Sequence, residues 1–490
     1  MLWIALYLPE LSLQIAERGA AAAHENASAL VVASGAANRP AVYAANAMAI
    51  DAGIKPGMTI AAARALCNDL HIAPRNLDGE QQATENFAAW ACQFTPSVSR
   101  KDNEGLLLEV SATLMMHEGV SMLLGKLRRG CHALGYRVAC GVAPTPLAAW
   151  LCAKARHHGY PVRACTDQAD IEARLADLPL ALLDWPHDSL SKLSALGIVR
   201  IADFLQLPAE GVAQRFGETC WREVQRALGR MPDPRPYFTP PENYRSRSEF
   251  GFEVNDAMAL LFPLKRLLSE LEGFLRARGA GILQYQLQLE HSDQRRTTLT
   301  IGVGKPERNT DRLLSLAREH LGRAALPATV LAIAVEAQRL HAFAEVSQSW
   351  LPDPRQRADG WYQLIDKLSA RLGSDSVYRL QAVDDFRPEQ AWKPIGPTAP
   401  WKSYKPKDIG MPRPLFLLPV PRKLFLDGGT PLCHGKVEMV AGPERIESGW
   451  WDGRPAFRDY YVGRNGHGET MWLYRELRDP DSWHLHGYFA

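Results

Sequence analysis

Metal-assisted phosphoryl transfer needs carboxylates a few ångströms apart, because the hard divalent ions that carry it take oxygen ligands. The candidates here are Glu10, Glu104 and Glu109, each beside or within an apolar run: WIALYLPEL, then EGLLLEVS. Glu10 follows Pro9, where a helix start turns it away from the first run. Glu109 lies inside the second run and reads as structural. Glu104 stands just before the second run, and a single carboxylate cannot hold two metals. The eight cysteines are scattered without a Cys-x-x-Cys pair, the pattern of reduced buried thiols in a cytosolic protein. His484 and His486 alternate as on a strand, and two histidines do not make a metal site. These patterns announce no metal and no cofactor.

Residues suited to holding phosphate are easier to find. LSKLSALGIVRIADFLQLP (190–208) reads as helix, Gly197 turn, helix. It is either a helix-hairpin-helix whose turn offers backbone N–H groups to a phosphate, or a plain αα-hairpin capped by Gly197. Farther on, Arg245, Arg247, Arg295, Arg296, Lys305 and Arg308 fall at strand and loop positions. Over residues 244–345, Lys and Arg number 14 against 12 acids, so no strong electrostatic funnel is written there. The net charge of +2 likewise excludes a histone-like binder.

The elements that must position these residues change character along the chain. Strands alternate with helices over 1–165, with a sub-region at about 30–95 set into them. Residues 166–232 are helical and Leu-rich. The five prolines of 231–243 make an extended linker. A β-α-β-β-α-β order follows over 245–343. Residues 344–412 read as a second linker, polar over 345–360, with a short amphipathic helix at 361–372. The end, 413–490, is dense in Trp, Tyr and Gly and reads as a small all-β module. At 490 residues, 46% hydrophobic and 22% charged, this is an ordinary multidomain composition. No run reaches 18 apolar residues, and the N-terminus lacks a basic region or cleavage site, so neither a membrane span nor a signal peptide is expected.

The order of parts, together with AGIKPGM (52–58), GLLLEVS (105–111) and CGVAPTPLAAWLCAKA (140–155), resembles the Y-family translesion DNA polymerases. The strings RPLFLLPVPRKL (413–424), AGPERIESGWWDG (441–453), RDYYVGR (458–464) and WLYREL (472–477) resemble the ImuB-type branch of that superfamily. The resemblance spans essentially the whole chain. It implies an α/β and α+β right hand: a palm with a fingers insertion, a helical thumb, a βαββαβ little finger and a β-rich C-terminal module. It also places the family's first carboxylate at Tyr7 and its Asp-Glu pair at Glu104 and Gly105. The family's triphosphate pattern Asn-Tyr-x-x-Arg reads NAMAI, with Ala47 for Tyr and Ile50 for Arg. Trp150 and Pro146 stand at lysine positions, with Lys154 one turn on as a helix-surface lysine. The implied protein is a non-catalytic adaptor for DNA-damage tolerance and induced mutagenesis. The alternative is an active low-fidelity polymerase using Glu10, Glu104 and Glu109 in shifted roles.

The resemblance also implies partners. Primer-template DNA would be held without sequence preference by Gly197 and by Arg245, Arg247, Arg295 and Arg296. In VSQSWLPD, residues Gln348, Trp350 and Leu351 resemble the bacterial sliding-clamp-binding peptide. The aromatic here precedes the leucine, and Pro352 takes the last place. Trp450, Trp451, Trp472 and Trp483 are candidate contacts for a RecA-like ImuA protein and an error-prone C-family DNA polymerase. The expected location is cytoplasmic and nucleoid-associated.

Overall fold

The run LWIALYL is apolar at every position because its strand is covered on both faces. In the computed structural model it forms β1 (Trp3–Tyr7), antiparallel to both β6 (Gly105–Glu109) and β7 (Ala139–Ala143), and with β5 (Val98–Lys101) they make a sheet ordered β5-β6-β1-β7. The structure describes residues 1–20, 28–35, 40–343, 354–397, 399–400 and 411–489. They divide into two units, Met1–Arg371 and Leu372–Ala490.

In the first unit, β1 leads into α1 (Leu11–Ala20). A second sheet, ordered β3-β2-β4, follows from β2 (Leu30–Ser34), β3 (Ala41–Ala45) and β4 (His71–Pro74). Between β3 and β4 lie α2 (Ala47–Asp51) and α3 (Ile60–Leu66). The chain returns through α4 (Leu77–Ala91) and β5 (Val98–Lys101), and α5 (Val120–Ala133) then joins β6 to β7. On one face Ile4, Leu6, Leu106 and Leu108 pack against Trp90, Leu123 and Leu127 of α4 and α5. On the other, Trp3, Ala5 and Leu107 meet α6 (Pro146–His157). Thr145 caps α6 by accepting from the N–H of Ala148, and Pro146 fills its first position.

The next helices are α7 (Ile171–Leu175), α8 (His187–Ala195), α9 (Ile201–Leu205), α10 (Ala209–Phe216) and α11 (Glu218–Ala227). Their Leu175, Leu193, Phe204 and Val224 share one core with α6. The proline-rich run that follows has no regular structure and is tied to β5, Phe238 N–H donating to the Val98 carbonyl at 2.6 Å.

A β-α-β-β-α-β domain comes next: β8 (Tyr244–Val254), α12 (Leu261–Ala277), β9 (Ala280–His291), β10 (Arg296–Glu307), α13 (Thr310–Leu321) and β11 (Val330–Ala337). Its sheet is ordered β10-β9-β11-β8, with β12 (Leu340–Ala342) added to β9. Alternation divides the sheet: Tyr285, Leu287 and Leu289 face α12 and α13, and the residues between them face outward. The domain is docked, not merely tethered. α12 lies on α4 and β8 lies on α1. A Cβ at Gly19 would overlap the carbonyl of Glu249, and one at Gly273 would overlap the Trp90 ring, so both contacts need glycine. Inside this joint Arg18 donates to Glu270 at 2.6 Å, stands over the Tyr136 ring and bonds its hydroxyl.

The helix expected at 361–372 begins earlier: α14 runs Pro354–Leu372. Its second half is held by tertiary contacts. Arg312 of α13 bridges Glu307 at 2.7 Å and Asp366 at 2.8 Å, and Ile365 and Ala370 are buried.

The second unit carries a hairpin that the sequence did not announce, β13 (Arg379–Ala382) with β14 (Trp392–Ile395). Its main sheet is ordered β15-β21-β20-β19-β18, from β15 (Phe416–Lys423), β18 (Val437–Ser448), β19 (Ala456–Asn465), β20 (Thr470–Glu476) and β21 (Asp479–Tyr488). The short β16 (Phe425–Asp427) and β17 (Thr430–Leu432) pair beside it.

Candidate functional site

Tyr7 ends β1 opposite Gly105 in β6 and Ala139 in β7. Its ring meets Trp150 of α6 edge-on, centroids 5.3 Å apart. Gly105 has φ +152°, and a Cβ there would overlap the carbonyl of Leu6 and come within 3.2 Å of the Trp150 ring. Glycine is needed because the two strands and α6 close on that point, so no side chain fits at 105 in this packing. Burial first, then the charges of Glu104, Asp184 and Glu10, push the Tyr7 hydroxyl up to about 12. It stays a neutral phenol near pH 7. Burial and the Asp184 charge also raise the Glu104 carboxyl.

The buried cation of this cluster is Lys154, with Lys101 also acting on Glu104. It is not the helix-surface lysine expected: it is 6% exposed and ion-paired to Asp184, beyond α7. α6 is covered on that side by the helical segment, which turns an outward position inward. Glu109 does not join this cluster, whereas the charge of Glu10 reaches Tyr7. Glu10 has φ +51°, and its carbonyl accepts from Leu13 and Gln14 to start α1. Glu109 lies four residues from Gly105, about 13 Å along the strand, and accepts from Ser111 N–H at 3.1 Å. Among the described residues no three of His, Cys, Asp and Glu are placed to hold a metal ion. Asn46 caps α2 through Ala49 N–H, with Ala47 and Ile50 exposed behind it.

Gly197 does make the turn between α8 and α9, at φ +78°. The turn's N–H groups, however, are not available for a phosphate. Gly197 and Ile198 donate to Ser194 and Leu193, and Val199 and Arg200 donate to the Asp203 carboxylate at 3.3 and 3.1 Å. This corrects the phosphate-holding expectation for Gly197. The segment is a glycine-capped αα-hairpin whose second helix carries its own anion.

The arginines divide. Register places Arg245 and Arg247 of β8 and Arg296 of β10 on one outward face. Arg295 sits in the β9–β10 turn, where it bonds Asp293 at 2.6 Å and the Pro327 carbonyl at 3.3 Å. The same face carries Gln284, Gln286 and Gln288 of β9 and Thr298 and Thr300 of β10, which a reading by charge passed over. Their signal was present: QYQLQLE (284–290) is polar at every second residue.

Two of the four candidate contact tryptophans are core, which corrects that expectation. Trp472 is 0% exposed and stacks on Tyr460 at 4.0 Å, and Trp483, 8% exposed, packs on Tyr461. A five-stranded sheet with few helices over it fills its core with large rings. Trp450 and Trp451 are 70% and 61% exposed, edge to face at 4.6 Å. Their turn is braced by Arg387, which bonds Asp385 at 2.7 Å and Asp452 at 2.6 Å. His486 is buried beside Tyr460, bonded to its hydroxyl at 2.8 Å, and burial pushes its imidazole down to about 4. The residues Gln348, Trp350 and Leu351 lie outside the described residues.

Residues 20–154 match the impB/mucB/samB family. The α/β sheet, helical segment, βαββαβ domain and separate β-rich sheet give the chain a Y-family polymerase-like fold. It is ImuB-like over nearly its whole length. Identity to protein ImuB of Caulobacter vibrioides (strain NA1000 / CB15N) is 26% over 464 residues, 89% of this chain and 100% of that one. DNA polymerase IV of Dehalococcoides mccartyi (strain CBDB1) is 26% identical over 273 residues, 55% of this chain and 69% of that protein. Among solved structures, a Y-family DNA polymerase chimera aligns at TM-score 0.41 and 17% identity, over 69% of this chain and 98% of that one. No helix among the described residues is long and apolar enough to cross a membrane.

Proposed function

We propose that this chain is a non-catalytic Y-family polymerase-like adaptor in DNA-damage tolerance and induced mutagenesis. One observation carries the reading: Tyr7 and Gly105 face each other across β1 and β6, under Trp150, at the positions the family resemblance gives to metal-binding carboxylates. A phenol and a glycine offer no hard anionic oxygen to a divalent ion near neutral pH. The cation near the remaining carboxylate, Glu104, is a lysine, Lys154, itself ion-paired to Asp184. The likeness to ImuB over most of the chain supports the same reading.

In this role the chain binds primer-template DNA through the outward face of the 244–342 sheet, in a sequence-independent, salt-sensitive way. It grips the sliding clamp through Gln348, Trp350 and Leu351. Through Trp450, Trp451 and their module it recruits an error-prone C-family polymerase and a RecA-like ImuA protein. A rigidly braced, exposed tryptophan pair is the kind of anchor that interfaces use. The site of action is the cytoplasm, at the nucleoid.

The test is primer extension by the purified chain, with four nucleotides and magnesium or manganese, and DNA binding measured on the same sample. The expected result is salt-dependent binding without one added nucleotide. Incorporation that disappears in Glu104→Ala makes the chain a polymerase and overturns the reading. For the clamp, Trp350→Ala with Leu351→Ala is expected to abolish binding in a surface-resonance titration and to leave DNA affinity unchanged. Undiminished clamp affinity in that double variant removes the assignment.

A further inference from the structure

Glu290, near the end of β9, is shared by two of the three arginines on the outward face. Arg247 of β8 donates to its Oε2 from Nη2 at 2.8 Å and from Nε at 3.3 Å. Arg296 of β10 brings Nη2 to 3.6 Å from the other oxygen. To reach Glu290, Arg247 must cross β11. The residues it crosses there are Ala334 and Ala332, whose methyl groups leave the path open. Arg247 also bonds its neighbour Glu249 at 3.1 Å. The hydrogen bond from Arg247, ahead of every other cause, holds the Glu290 carboxyl below its ordinary range.

A carboxylate shows a guanidinium two anionic acceptor oxygens, as a phosphate diester does. The surrounding rows, Gln284, Gln286, Thr298 and Thr300, supply amide and hydroxyl groups of the kind that meet phosphate and sugar oxygens, while Gln288 donates to Glu336 of β11 on the same face at 3.1 Å. These rows hold no aromatic side chain, so they offer no platform on which unpaired bases could stack.

We propose that Glu290 is an internal phosphate mimic on a face made for duplex nucleic acid. It holds Arg247 and Arg296 in the geometry of a backbone contact, the duplex must displace it, and its charge keeps duplex affinity low. The proposal rests on the reading of this face as DNA-binding. A face restrained in this way engages firmly only when a second attachment raises the local concentration of DNA, which suits an adaptor.

The experiment is fluorescence anisotropy with the full chain. The probes are a labelled duplex and a single strand of the same length, titrated across a salt series. Glu290→Gln keeps the shape of the side chain and removes its charge. It is expected to bind duplex about tenfold more tightly, with a salt slope steeper by about one phosphate contact, and to leave single-strand affinity unchanged. Adding Arg247→Ala to it is expected to cancel the gain. Duplex affinity of Glu290→Gln equal to or below the native value overturns the proposal, as does an equal gain on single strands. If Arg247→Ala with Arg296→Ala binds duplex like the native chain, the reading of the face itself fails instead.

Discussion

Glu270→Ala is expected to destabilise the Met1–Arg371 unit by about 3–5 kcal/mol, the usual consequence of stranding one member of a buried ion pair. Glu270 is 2% exposed and accepts from Arg18 at 2.6 Å and from Ser246 Oγ at 2.8 Å. Its removal leaves the Arg18 guanidinium in a largely buried joint, with the Tyr136 ring and hydroxyl as its remaining partners there. It also frees the Ser246 hydroxyl, which is buried. Because the pair joins α1 to α12, the loss is expected to loosen the docking of the βαββαβ domain. The proline-rich run at 231–243 is then expected to become a protease target. Arg18→Leu with Glu270→Leu replaces both charges by apolar groups and is expected to recover most of the loss. Urea unfolding and limited proteolysis of the three proteins check this. A Glu270→Ala midpoint equal to the native one means the pair does not hold the domains together.

Gly105→Ala is expected to destabilise by about 3 kcal/mol or more, although it adds a single methyl group. Two effects combine there. The backbone is in a region that side chains rarely adopt, and the new Cβ would overlap the Leu6 carbonyl of the adjacent central strand. Gly57→Ala separates them: Gly57 has φ +87° with nothing within 4 Å of the Cβ position, so it suffers the conformational term alone, about 1 kcal/mol. Thermal unfolding of both variants measures the difference. Gly105→Glu, which would place a carboxylate opposite Tyr7, is expected to lose the fold of β1 and β6 and to gain no nucleotide incorporation. Equal losses at 57 and 105 would mean that α6 and β1 yield easily and that the site is open to a side chain.

Several features were legible in the chain because they depend on near neighbours. The unbroken apolar run of β1 marks a strand buried on both faces. The alternation in 284–290 marks a strand with one face wet. The Gly197 turn follows from glycine's freedom at positive φ, and the order of strands and helices follows from their periods.

Tertiary structure decided whatever depends on partners far along the chain. Lys154 became an inward cation because a helical segment 30 residues later covers α6 and supplies Asp184. Trp472 and Trp483 became core while Trp450 and Trp451 stayed outside, because strand pairing sets which rings are covered, and the four look alike in composition. The turn N–H groups after Gly197 found Asp203 before any phosphate could. Glu270 lies 252 residues from Arg18, and Glu290 lies 43 from Arg247. Local pattern specifies which element forms. The desolvation and pairing of each charge are properties of the packed assembly, and no local window contains them.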